Sequence, residues 1–366
     1  MSEESFHSIR NTYLSTFEGS PSFDHDRAAS FDWGLVYREM EWLPGGGFNM
    51  AYEAIDRHAN GRLRDKTAMV WVGRDGEREE HSFGQMKEQS DRFAGVLQSL
   101  GIERGDRVSI LLNRVPELYI AFLGTLKIGA VAVPLFADTD SETIRDVLRD
   151  VGVKVLVTTL EIRRLISNLL PELFELQHIA IVNRPRRNPS STWSQDLDFH
   201  EEMDKASNDF DVVNTSAYDY AVINYTSGTT GKPQAVVQRH LACVQHYATG
   251  QWALDLHPDD IYWCTADPGW ATGTAYGITA PWTNGVTQLI YEGPFRASDC
   301  YSLVESHKVS VLYTAPTAIR MLKKAGDALP LEHNLSSLRF AASVGAFLDP
   351  SEVVWGETAL GTPFRD

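Results

Sequence analysis

Residues 219–233 read DYAVINYTSGTTGKP. The first part is a short apolar run of the kind that forms a buried strand. It passes at Thr226 into a loop built from small and hydroxylated residues. Gly228 and Gly231 let the backbone turn tightly with its N–H groups pointing inward. The hydroxyls of Thr226, Ser227, Thr229 and Thr230 and the ammonium of Lys232 can meet the oxygens of a polyphosphate. The loop is not a Walker A sequence, because position 226 is Thr and Lys232 is followed by Pro233, and it contains no GxGxxG. On composition alone an exposed turn between two strands remains equally open, so the surroundings must decide.

Upstream, short apolar runs alternate with amphipathic stretches. TAMVWV and REEHSF read as two strands of a hairpin around the polar GRDGERE, and Ser82 with Gln85 has capping-box spacing. Met86, Phe93, Val96, Leu97 and Leu100 then recur at helical intervals until Gly101. RVSILL, a helix from Pro116 to about Lys127 stopped by Gly129, and AVAVPL repeat the logic. A helix around Ile144 to Leu148, VKVLVTT, a helix after Glu161 and IAIV continue it. Downstream, IYWCTA, VTQLIY, VSVLYT and LRFAAS supply further strands. Apolar strands between amphipathic helices predict an α/β fold with mostly parallel sheets covered on both faces.

The organisation predicted is an N-terminal segment, 1–65, that wraps another lobe and enters a helix near Asn49. A first α/β lobe, 66–213, and a second, 214–366, follow it. The polar stretch NRPRRNPSSTWSQDLDFHEEMDKASNDFD, 183–211, reads as a surface excursion between lobes. Its Arg184, Arg186 and Arg187 read as solvated loop charge, with phosphate contact as the alternative. No internal repeat or low-complexity tract stands out.

A chain of 366 residues, 43% hydrophobic, buries a substantial core without staples. Its three cysteines, Cys243, Cys264 and Cys300, form no CxxC pair, and no run of roughly 18 apolar residues spans a membrane, so a cytoplasmic protein is expected. The 33 basic and 49 acidic residues leave a formal charge of -16, which argues against nucleic-acid and membrane partners. His240, Cys243 and His246 are spaced awkwardly for a metal site, with a surface or capping role expected instead, and no metal ligands are assigned. No GxSxG elbow is present. Asp267-Pro268-Gly269 is read as a turn.

With these pieces in order, YTSGTTGKP resembles the phosphate-binding signature of the adenylate-forming superfamily. Three further stretches are similar to its acetyl-CoA synthetase group: DDIYWCTADPGWATGTAYGITAPWTNGVT at 259–287, VLYTAPTAIRML at 311–322 and LRFAASVGAFLDP at 338–350. The resemblance implies the N-terminal portion of that fold, two stacked α/β lobes. It also implies ATP-dependent activation of acetate or a short carboxylate to acyl-AMP and then acyl-CoA, with ATP, Mg²⁺ and CoA.

By the same resemblance Thr226, Ser227, Gly228, Thr229, Thr230, Gly231 and Lys232 surround the β- and γ-phosphates. Trp270, Ala271, Thr272, Gly273 and Val344 line the acyl pocket, and Gly345, Ala346 and Phe347 lie against adenine. Thr314, Pro316, Thr317 and Arg320 approach the nucleotide and CoA sites. Gln234, Ala235 and Ala346 depart from the family pattern PKGVVHTH and Gly-Glu-Pro. The segments carrying the Mg²⁺-binding Glu and the catalytic Lys would follow Asp366, so no catalytic residue is assigned. The chain is read as C-terminally truncated, its second lobe incomplete and its activity impaired. The alternatives are a catalytically inactive nucleotide- or partner-binding remnant, or half of a split enzyme completed by a separate C-terminal polypeptide. An uncovered sheet edge, with poor solubility or self-association, is the expected physical consequence.

Overall fold

The computed structural model describes residues 31–184, 196–226 and 233–366. Two seven-stranded sheets organise them. Sheet I contains β3 (Arg107–Leu111), β4 (Val131–Leu135), β5 (Val153–Thr159), β6 (His178–Val182), β7 (Asp196–Asp198), β8 (Tyr220–Thr226) and β9 (Gln234–Arg239). Sheet II contains β1 (Thr67–Val72), β2 (Arg78–Ser82), β10 (Ile261–Cys264), β11 (Thr287–Tyr291), β12 (Val311–Thr314), β13 (Phe340–Ser343) and β14 (Phe364–Arg365). Neighbouring strands are parallel except in the hairpins β1–β2 and β8–β9, each at one edge of its sheet.

Read from the hairpin edge, sheet I runs β9-β8-β4-β3-β5-β6-β7 and sheet II runs β2-β1-β11-β10-β12-β13-β14. The two orders are the same, so the chain contains a topological repeat that its sequence does not display. Each hairpin precedes one half of the chain but joins the sheet of the other half: β1 pairs with β11, Met69 opposite Gln288, and β8 pairs with β4, Ala132 opposite Val222. Sheet membership therefore does not follow the boundary at residue 213. A strand's apolar pattern reveals that it is buried, but not which sheet buries it.

Twelve helical segments matter for the site and its support. The surface helix α1 (Trp33–Glu39) is capped by Asp32, whose carboxylate accepts from the Gly34 amide at 2.8 Å. The segment α2 that follows is a π-helical turn, Tyr52–Asp56, continuing as Arg57–Ala59. Phe48, Met50, Ala51, Ala54 and Ile55 are all wholly buried. The described part of the predicted wrapping segment is thus half core. Its charged Glu53 and Asp56 are buried too, Glu53 paired with Arg57 at 3.1 Å, so polarity along the segment does not mark a solvent face and the period is weak.

Helix α3 (Phe83–Ser99) carries the predicted capping box, with Ser82 Oγ accepting from Gln85 N at 3.1 Å and Gln85 Oε1 accepting from Ser82 N at 2.8 Å. Helix α4 (Pro116–Lys127) lies against it. Lys127 is buried between Asp91 of α3, at 2.6 Å, and Asp56 of α2, at 2.9 Å, tying three helices together. Burial pushes the Asp56 carboxyl upward despite the Lys127 charge.

Helices α5 (Ser141–Asp150), α6 (Leu160–Leu165) and α7 (Phe199–Lys205) complete the first half. Within the predicted surface excursion, β7 joins the edge of sheet I and α7 buries Phe199 and Met203. A three-residue strand with Asp at both ends offers no apolar period to read. Arg184 is also not loop charge. It pairs with Glu117 at 2.8 Å and Glu79 at 2.7 Å and lies over the Trp71 ring at 4.6 Å, locking the exchanged hairpin to α4. Arg186 and Arg187 lie outside the described residues.

The second half carries α8 (Ala242–Trp252) and the composite α9 (Ala271–Thr274, π-helical Ala275–Thr279, Ala280–Thr283). It ends with α10 (Ala297–His307), α11 (Pro316–Lys324) and α12 (Pro350–Leu360). Among the described residues no helix is long and apolar enough to cross a membrane.

Candidate active site

In sheet II the order β11-β10-β12 places a topological switch between β10 and β12, and in open α/β sheets the crevice beyond such a point receives ligands. A cavity of about 300 Å³ opens there. Thr265 and Asp267 enter it from the end of β10, Thr317 and Met321 from α11, and Val344 and Gly345 from the end of β13. Trp270 and Thr272 supply another wall from the start of α9. Phe136, just beyond β4 of sheet I, reaches across and meets Trp270 edge-on, with centroids 5.8 Å apart and planes at 88°. The site thus lies between the halves, at the carboxyl ends of their strands.

The turn before α9 sets this wall. Asp267 Oδ1 accepts from Gly269 N at 2.8 Å, and the Asp267 carbonyl accepts from Trp270 N at 3.0 Å, the turn read from the sequence. Gly269 is obligatory by contact: a Cβ would stand 2.9 Å from Phe136 N and 3.1 Å from Leu135 C. At Gly273 a Cβ would come within 1.9 Å of the Asp267 carbonyl oxygen. Burial raises the Asp267 carboxyl above its usual range, partly opposed by the Gly269 amide and by Arg114.

The other sequence-predicted residues fall in different places. Ala271 and Gly273 support the wall without lining the cavity. Thr314 is buried, its hydroxyl 2.6 Å from that of Thr265, and its carbonyl accepts from Val344 N at 3.1 Å. Pro316 begins α11. Gly345, at φ +91°, makes the bend that leads to exposed Ala346 and Phe347. Arg320 is committed to this bend: Nε donates to Glu352 at 2.8 Å and Nη2 donates to the Phe347 carbonyl at 3.2 Å. Of the phosphate-loop residues, Thr226 ends β8 opposite Gln234, while Ser227, Gly228, Thr229, Thr230, Gly231 and Lys232 lie outside the described residues.

Reading the sequence missed Phe136, Thr265, Phe295 and Met321 as lining residues. Their positions after β4, β10 and β11 and on α11 could be found only once the strand order was known. It also missed buried Asn224 on β8, whose signal is an amide inside an apolar strand.

The histidines near Cys243 differ from the expected surface role. His240 is wholly buried and its Nδ1 accepts from Met50 N at 3.1 Å, which does give it a capping function for α2. His246 is buried with Nδ1 2.7 Å from Thr279 Oγ1. Burial lowers both imidazoles to about 4. Cys243, also buried, has its thiol pushed far upward by desolvation. Among the described residues no three His, Cys, Asp or Glu side chains gather as a metal-binding set.

A family model described as AMP-binding enzyme matches residues 55–364. The acetyl-coenzyme A synthetase of Bacillus subtilis (strain 168) is 41% identical over 338 residues, covering 92% of this chain and 58% of that protein. The acetyl-coenzyme A synthetase of Methanothrix thermoacetophila is 36% identical over 352 residues, covering 90% and 53%. A crystal structure of Brucella canis acyl-CoA synthetase superposes with a TM-score of 0.85 at 31% identity, covering 93% of this chain and 60% of that one. The chain spans little more than half the length of the curated relatives it matches.

Proposed function

The chain belongs to the AMP-binding enzyme family, and from that premise we propose that it takes part in ATP-dependent activation of acetate or another short-chain carboxylate. A carboxylate oxygen attacks the α-phosphorus of ATP, the new acyl–O–P bond forms, and the Pα–O bond to pyrophosphate breaks. CoA thiolate then attacks the acyl carbonyl and AMP leaves. The observation that carries this reading is the convergence of Trp270, Thr272 and Val344, assigned to one acyl pocket by resemblance, on one cavity at the switch point of sheet II.

Trp270, Phe136 and Val344 give the acyl tail an apolar surface, and Thr265 and Thr272 offer hydroxyls to its polar end. Charge accumulating on departing pyrophosphate is met by the donors of the 226–232 stretch, with Lys232 the strongest. Mg²⁺ accompanies the phosphates in this scheme, and such an ion needs only one or two protein oxygens. We place the reaction in the cytoplasm.

The departures at Gln234, Ala235 and Ala346 favour a second reading, nucleotide binding without turnover unless a separate polypeptide completes the site. Acetate-dependent exchange of labelled pyrophosphate into ATP separates the two. Exchange above that of Lys232→Ala supports adenylation by this chain. Exchange equal to that variant, in a sample that melts cooperatively, replaces it with the binding reading.

A further inference from the structure

Asn224 stands where an aliphatic residue would ordinarily be. It lies inside β8 beside Val222 and Ile223 and is wholly buried. Asparagine is a poor strand former, and a buried amide costs stability unless its polar atoms are partnered. Here both ends are partnered, and across the boundary between sheets. Nδ2 donates to the Gly269 carbonyl at 3.4 Å, and Oδ1 accepts from Gln238 Nε2 of β9 at 3.2 Å and from Thr274 Oγ1 of α9 at 3.2 Å. The Thr274 proton also faces the Ala271 carbonyl at 3.0 Å, so that hydroxyl is shared between the start of α9 and Asn224.

The two ends of this connection lead to different ligands in the proposed reaction. Two residues after Asn224, β8 ends at Thr226, the first hydroxyl of the phosphate-binding stretch. One residue after Gly269 comes Trp270, the aromatic wall of the cavity. The turn packs close to sheet I beside β4 as well, where a Cβ on Gly269 would stand 2.9 Å from Phe136 N, so nothing larger than glycine fits between them. We infer that Asn224 is a positioning residue that fixes the end of the phosphate-loop strand against the acyl-pocket turn, so that nucleotide and carboxylate bind as a coupled pair. Gln238 lies on the same hairpin as Asn224, so its contact stays within sheet I, whereas Gly269 and Thr274 belong to the other side of the site. This inference rests on the functional reading above.

The test is calorimetric titration of the whole chain with α,β-methylene-ATP and Mg²⁺, which removes turnover, in the absence and presence of saturating acetate. The wild type should bind the nucleotide several-fold more tightly with acetate present, within the roughly 5–150-fold range usual for coupling between sites. Asn224→Leu, which removes both contacts across the site, should bring that factor to about 1, and Thr274→Val, which removes one of the two, should lower it part-way, each changing either ligand's separate affinity by less than about threefold. Gln238→Leu should keep the wild-type factor.

Retention of coupling in both cut variants overturns the inference. So does loss of separate nucleotide affinity in variants that still melt cooperatively, because a general packing defect would do that. If the wild type binds no nucleotide, the functional reading itself fails and this inference falls with it; if it binds nucleotide without regard to acetate, this inference alone is overturned.

Discussion

His58, His240 and His246 are three imidazoles that the fold keeps neutral, each lowered to about 4 chiefly by burial. An unfolded chain protonates histidine near pH 6.5, whereas the folded chain resists until about pH 4, so between these values the unfolded state binds more protons. Stability contributed by the three sites is full above pH 6.5 and is lost as pH falls toward 4. Urea unfolding midpoints should decline through that window, and His246→Gln should make the decline shallower. A midpoint independent of pH, or a slope unchanged by the variant, would contradict the assignment. None of this was legible beforehand: the spacing of His240 and His246 argued against a metal, but burial depends on what α2 and α9 bring against them. The glycines of the site were only half legible. Gly269 reads as a turn residue and Gly273 as a small pocket residue, yet what forbids a side chain is contact with Phe136 in one case and Asp267 in the other.

Elements were more readable than residues, because strand and helix patterns are local. The hairpin at 67–82, the capping box at Ser82 and the helix that starts at Pro116 all fall where their patterns predicted. The helix entered near Asn49 is found as α2, though its burial was not foreseen, and short β7 escaped because three residues show no period. The helices α2, α3 and α4 are joined by a group no pattern announces, the buried Lys127 between Asp56 and Asp91. Removing one partner of a buried ionic cluster leaves uncompensated charge, a loss of about 3–5 kcal/mol. Lys127→Ala should therefore lower the urea midpoint sharply, and Lys127→Ala combined with Asp56→Asn and Asp91→Asn should recover part of the loss. A single variant as stable as wild type would show that Lys87, 2.6 Å from Asp91 and 4.0 Å from Asp56, already compensates the two carboxylates.

For the molecule as a whole, the reciprocal exchange of hairpins makes the halves mutually dependent. Without residues 220–239 sheet I loses β8 and β9, and without residues 67–82 sheet II loses β1 and β2. Polypeptides 1–213 and 214–366, expressed separately, should lack a cooperative thermal transition, and their co-expression should restore one. Independent cooperative melting of either piece would mean that its parallel core suffices. The strands themselves were legible; their partners were not, since Met69 pairs with Gln288 and nothing in either stretch names the other.

The exchange also has a consequence in time. As the chain leaves the ribosome, β1–β2 is complete some two hundred residues before β11 emerges to receive it. At about 5–20 residues per second that is roughly 10–40 s during which an isolated two-stranded hairpin, marginal on its own in water, holds Met69 and Trp71 with no sheet to join. The hairpin is thus made early but placed late: its apolar strand stays without a sheet until the stretch around residue 287 has been synthesised.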